Sequence, residues 1–113
     1  MKKLFLATFA LLLSSQAFSY GTVTNAKVVE VRMDQSGKGM VIFDQLVAGE
    51  KATCVHPAYV NALSFDLNTT GGKGVLAVAL AAKAAGTTMT VYGTATCTIY
   101  GGHVEDWMYG VSK

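Results

Sequence analysis

From Lys27 onward the chain alternates in steps of two. Val29, Val31 and Met33 fall on one side and Glu30 and Arg32 on the other, within a β-branched stretch running from Val23 to Met33. That period predicts a half-buried strand. Asp34 to Gly39 (DQSGKG) holds the Gly, Ser and Asp that tolerate a chain reversal, so Met40 to Val47 (MVIFDQLV) is the expected return strand of a hairpin. Ala48-Gly49-Glu50 breaks it, and Lys51 to Val55 (KATCV) predicts another short strand. His56-Pro57-Ala58-Tyr59 interrupts with the chain's single proline. Ala62 to Asp66 (ALSFD) then resumes an extended pattern, with Leu63 and Phe65 on one side.

The period changes after Asn68-Thr69-Thr70-Gly71-Gly72. Gly74 to Ala85 predicts a helix, with Thr70 as its N-cap and Gly86 as its stop. Leu76, Ala79, Leu80 and Lys83 share one stripe, Val75, Val78 and Ala82 a neighbouring one, and small alanines fill the rest. This is the pattern of a buried or self-associating helix. A dozen residues with a lysine among them do not span a bilayer, which takes about 20 apolar residues. Past Gly86 the period returns to two. Met89 and Val91 oppose Thr88, Thr90 and Tyr92; Ala95, Cys97 and Ile99 oppose Thr94, Thr96, Thr98 and Tyr100. After Gly101-Gly102, His103 to Tyr109 predicts a last strand. The order β-β-β-α-β-β-β in so short a chain predicts a mainly β fold with one α-helix, an OB-like small barrel.

The first residues are read separately. Met1-Lys2-Lys3, the apolar run LFLATFALLL and the small, polar exit SSQAFS form the three regions of a secretory signal peptide. Cleavage is expected after Ser19, with Ala17 as the second choice, leaving residues 20–113 as a single domain. The short basic start points to a bacterial protein destined for the periplasm or the medium. Setting aside Lys2 and Lys3 leaves seven basic side chains against seven acidic ones. A balanced, unclustered charge disfavours nucleic acid as a partner.

Cys54 and Cys97 are the only cysteines. In an exported chain such a pair reads as a disulfide. The competing assignment, a metal held by Cys54, His56, Cys97 and His103, lacks the paired C-x-x-C and H-x-x-x-H spacing of zinc sites. No metal or cofactor is expected.

The segment GVLAVALAAKAAGTTMTVYG resembles the helix-then-strand segment of the B (binding) subunits of bacterial AB-type toxins of the subtilase-cytotoxin and pertussis-like groups. The resemblance covers about a fifth of the chain. It implies a ring of five subunits with the helix lining the centre, a cell-surface glycan bound on the barrel side, and an exported catalytic subunit as partner. The alternative expectation is a stand-alone periplasmic or envelope protein acting as an inhibitor, a chaperone-like binder or a structural factor.

Sugar sites offer aromatic planes and a few polar groups. Tyr92, Thr96, Thr98, Tyr100, Trp107 and Tyr109 are the ligand-binding candidates, with His103, Glu105 and Asp106 close by in sequence. Against this, Trp107 and Tyr109 also read as barrel plugs and the threonines as ordinary strand surface. Glu105-Asp106 is a conceivable carboxylate pair, but neighbours on a strand point to opposite faces and do not flank one bond. Solvated edge charges are the expected outcome. Gly71-Gly72-Lys73-Gly74 lacks the rest of a phosphate loop. With no nucleophile, base or metal set in evidence, the chain reads as non-enzymatic.

Overall fold

Six strands and one helix follow in the order β1 (Gly21–Met33), β2 (Lys38–Phe43), β3 (Ala48–Gly49), β4 (Ala62–Asp66), α1 (Thr70–Ala85), β5 (Thr88–Gly93) and β6 (Glu105–Ser112), with a 3-10 turn at Pro57–Tyr59 before β4. The computed structural model describes residues 20–113. The signal peptide expected over residues 1–19 lies outside them. Among the described residues no helix is long and apolar enough to cross a membrane.

The strand β1 belongs to two ladders. Its first half pairs with β5 (Val23 opposite Val91, Ala26 opposite Met89) and its second half with β2 (Val28 opposite Phe43, Met33 opposite Gly39). The changeover falls between Lys27, still opposite Thr88 of β5, and Val28; an irregularity lies just before it, between Val23 and Ala26, where Asn25 takes a positive φ of 49°. An inserted residue of this kind bends a strand and tightens its twist. From β2 the pairing passes to β4, then through a parallel contact to β6, then to β5 and back to β1. The circuit closes, but its β4–β6 link is only Leu63 opposite Glu105 and Ser64 opposite Asp106. The fold is therefore mainly β with one helix, and its barrel is irregular rather than evenly staved.

A second irregularity revises the face assignment in β1. The register slips between Val28 and Glu30, so Val28 is buried while Val29, grouped by its period with Val31 and Met33, is 48% exposed. Strict alternation ends wherever one strand contributes an extra residue.

The core gathers Val23, Ala26 and Val28 from β1, Val41 and Phe43 from β2, Leu63 and Phe65 from β4, and Met89 and Val91 from β5. The helix α1 covers it with Ala79 and Ala82, flanked by the half-buried Val75 and Leu76. Small residues at the contact let the helix axis lie close to the strands. Val78 and Leu80 point away and are exposed. The helix begins earlier than its composition predicts. Thr69, not Thr70, is the N-cap, its hydroxyl accepting from the Gly72 N–H at 2.9 Å. Gly72 tucks against the carbonyl of Asp66, where a Cβ would collide. At the other end Gly86 stops the helix in the left-handed conformation, φ 68°, as its sequence position leads one to expect.

Two predicted strands are not strands. Lys51–Val55 and Ala95–Ile99 are irregular, and the last strand starts at Glu105 rather than His103. The expected disulfide between Cys54 and Cys97 joins these two irregular segments. They lack a strand partner because side chains of β6 occupy their backbone donors.

Candidate functional site

Glu105 and Asp106 open β6 and point to opposite sides of it, yet both are buried, at 0% and 6% exposure. The expectation of solvated edge charges is overturned. Glu105 reaches three separate stretches of chain. Its carboxylate accepts from the Gly21 N–H at 2.9 Å, the Ala52 N–H at 2.7 Å and the Ala95 N–H at 3.2 Å. Gly93 is glycine for this reason, since a Cβ there would run into the Glu105 carboxylate. Asp106 accepts from the N–H groups of Thr98 and Ile99, both at about 3.1 Å, from the hydroxyl of Thr96 at 3.2 Å, and from the hydroxyl of Thr98. Ser64 on β4 donates to this end of β6 as well. Buried polar groups require such partners. The pair thus pins the loop between β5 and β6, the 51–55 segment and the start of β1 into one arrangement. A sequence signal existed for Asp106: hydroxyl residues at Thr96 and Thr98, ten and eight positions ahead of an acid. None marked Glu105, whose three donors are scattered along the chain.

This geometry sorts the sequence candidates. Thr96 and Thr98 spend their hydroxyls on Asp106, and Thr94 and Thr96 bond each other at 2.7 Å. Tyr100 lies elsewhere, its hydroxyl donating to Asp34 at 2.5 Å and so tying the β5–β6 loop to the β1–β2 turn. Tyr92 and Tyr109 are brought together: they face each other across β5 and β6, their rings stacked with centroids 4.7 Å apart. Tyr20 meets Tyr92 edge-on at 5.7 Å. Thr22 stands beside Tyr92 in the next strand, so the row Thr22, Tyr92, Tyr109 crosses three strands. Tyr109 is 51% exposed.

Trp107 is parted from Tyr109. In a regular strand the two would share a face. The register shifts here, with Tyr109 opposite Tyr92 but Trp107 opposite Gly93, leaving Met108 as an extra residue. Trp107 therefore turns inward, stacks on Phe43 with centroids 6.3 Å apart, and packs against the core. It also lines a cavity of about 290 Å³ with Phe65, Asp66, Gly71, Val75 and Ile99. That cavity sits where β4 and β6 diverge after their two-residue contact.

The two histidines of the discarded metal assignment lie together, rings 6.1 Å apart. Each spends Nδ1 on local backbone: His56 accepts from the Ala58 N–H at 3.1 Å, and His103 contacts the Gly101 carbonyl at 2.9 Å. The cysteines are joined to each other. Among the described residues no group of three or more metal-ligating side chains occurs.

The Asp34–Tyr100 contact sets a pH dependence. The Tyr100 hydroxyl, and after it the Arg32 guanidinium, hold the Asp34 carboxyl below the usual range. Burial and then Asp34 push the Tyr100 phenol well above its own. A carboxyl with a depressed value adds stability that is lost as pH falls below about 4; a phenol with a raised value loses its contribution as pH climbs past about 10. Comparing urea midpoints of the native protein and Tyr100→Phe across pH, the gap should be widest near neutrality and close at both ends. A gap constant with pH would show that the loss is one of packing alone.

What these features define is a small disulfide-bonded β domain with one helix, an uncharged tyrosine–threonine face on one side of β6 and an indole-lined cavity on the other. No protein-family model, no curated protein and no solved structure matches the chain.

Proposed function

We propose that this is an exported, non-enzymatic binding module whose ligand is a glycan, held on the face formed by Tyr92 and Tyr109. The observation that carries the reading is the stacked tyrosine pair, Tyr109 exposed and Tyr92 half-buried, in register with Thr22. Aromatic planes take the apolar faces of sugar rings, and neighbouring hydroxyls take their polar edges. Thr22, Tyr92 and Tyr109 carry no charge, which suits a neutral carbohydrate. The two carboxylates that might have served catalysis are instead occupied by loop amides and hydroxyls, which supports a binding role.

The test is a glycan array probed with exported, oxidised protein beside Tyr109→Ala. Tyr109 is half exposed, so its removal should lower the melting temperature only by the few degrees that the lost Tyr92 stack supplies and weaken sugar binding by tenfold or more. Absence of any bound glycan, or equal binding by the variant, would sink the reading.

The same proposal includes a ring of five copies serving an exported catalytic chain. It draws on the outer face of α1, where Ala77, Val78, Leu80, Ala81 and Ala84 are exposed and uncharged. The inner face of that helix already closes its own core through Ala79 and Ala82. This favours the second reading, a stand-alone periplasmic or envelope protein. Mass in solution by light scattering separates them: five chains support the ring, and one chain supports the second.

A further inference from the structure

The strand β6 keeps one edge uncovered. Its contact with β4 ends at Ser64 opposite Asp106, while its ladder with β5 runs on to Ser112. At the far end of that ladder the Lys113 N–H donates to the Thr88 carbonyl at 2.9 Å. Opposed residues in an antiparallel pair alternate between bonded and non-bonded, so Val111 and Tyr109 also turn their backbone groups to β5. Gly110 and Ser112 therefore turn theirs the other way, and among the described residues no turn or loop takes the N–H of either.

An edge of this kind is a template for another strand, and proteins guard such edges with charge, proline or a bulge. Trp107–Ser112 holds no charge and no proline, and its bulge at Met108 precedes the open stretch. Beside that stretch Tyr109 and Val111 are 51% and 50% exposed.

The register decides which strand fits. Laid antiparallel against a second copy of itself, about a two-fold axis at Val111, β6 sets Gly110 against the partner's Ser112 and Ser112 against the partner's Gly110. These are the residues whose backbone groups point outward, so both pairs bond fully. A two-fold interface requires such a self-complementary patch. On the outer face Val111 meets the partner's Val111. Tyr109 meets the partner's Lys113, which sets a cation against a ring instead of against its own kind. On the inner face only Gly110 and Ser112 meet, and both are small. Sliding the pair toward Met108 brings in the bulge and loses a bonded pair.

We propose that β6 pairs with β6 of a second copy, antiparallel and centred on Val111, joining two β1–β5–β6 sheets edge to edge. The axis stands across the sheet, so both copies turn Tyr92 and Tyr109 to the same side. Where the glycan reading holds, the dimer offers two sugar faces to one surface; the pairing itself does not rest on that reading.

An edge this short holds weakly, so the test follows the mass of exported, oxidised protein by sedimentation equilibrium from about 5 µM to about 500 µM. The mass should rise from one chain to two. Val111→Lys sets two ammonium groups across the axis, and Ser112→Pro removes an outward N–H without touching the β5 ladder. Each should weaken association tenfold or more. Position is read by cross-linking. Opposed non-bonded residues have Cα atoms about 4.5 Å apart, within disulfide reach, so Val111→Cys should link two chains at least tenfold faster than Tyr109→Cys. One chain at every concentration, five chains at any, undiminished association by either folded variant, or equal linking rates would each overturn the proposal. The concentration series uses the native chain, so it decides the matter even where a variant folds poorly. An empty glycan array would leave these masses as they are, which keeps the two readings apart.

Discussion

Replacing Cys54 and Cys97 together by serine is expected to lower the unfolding free energy by roughly 4 kcal/mol, the chain-entropy value for closing a loop of this length. The two cysteines are 43 positions apart, and between them lie the 3-10 turn, β4, α1 and β5. Cutting the bridge lets the unfolded chain explore far more arrangements, at little enthalpic gain to the folded one. A domain this small has about 5–15 kcal/mol of stability in all, so the loss should bring the urea midpoint down by about a quarter or more. The slope of the transition should also rise, because an uncrosslinked chain exposes more surface on unfolding. The measurement is a pair of urea curves, native and double-serine, read by far-ultraviolet dichroism. A loss below about 1 kcal/mol would mean that the carboxylate contacts hold the two irregular segments without help from the bridge. It would then set the chain-entropy value aside for this protein.

Glu105→Ala should cost as much or more, about 4 kcal/mol. The substitution strands the N–H groups of Gly21, Ala52 and Ala95, and each buried donor left without an acceptor costs about 1–3 kcal/mol. It also empties the space beside Gly93. Glu105→Gln is the sharper variant. It keeps the volume and one acceptor oxygen, but its amide points two donors at groups that are themselves donors. It should fall between the native protein and Glu105→Ala. Hydrogen exchange separates this loss from a general weakening: the amides of Gly21, Ala52 and Ala95 should lose protection first, ahead of the β1–β5 ladder. If all amides exchanged together in Glu105→Gln, the carboxylate would be one more core contact rather than the clasp of three segments. The disulfide and Glu105 act on the same two irregular stretches, so their effects should not be additive.

How much of this was legible beforehand depends on how local each feature is. The helix stop at Gly86 and strands β1, β4 and β5 follow from short-range patterns that need no distant partner to be recognised, and the Cys54–Cys97 bridge follows from there being only two cysteines to pair. The Thr94–Tyr100 run reads as a strand by the same rule and is not one. Alternation of threonine with apolar residues states a preference for extended backbone, but a strand also needs a neighbour to take its donors. Here Glu105 and Asp106 take them instead.

The candidate site divides along the same line. Aromatic residues concentrate near the C-terminus in the sequence itself. That Tyr109 meets Tyr92 while Trp107 turns to Phe43 was decided by one extra residue, Met108, in the β5–β6 ladder. A period of two carries no record of where a partner strand is one residue shorter. The sequence by itself determined strands β1, β4 and β5 and the helix with its terminus, because each is written in neighbouring residues, and the cysteine pair, because the chain has only two cysteines. The burial of Glu105 and Asp106, and the division of the aromatic residues between an outer face and an inner cavity, were decided only by tertiary structure. Both depend on which amides and which strand arrive opposite β6 from 7 to 84 positions away.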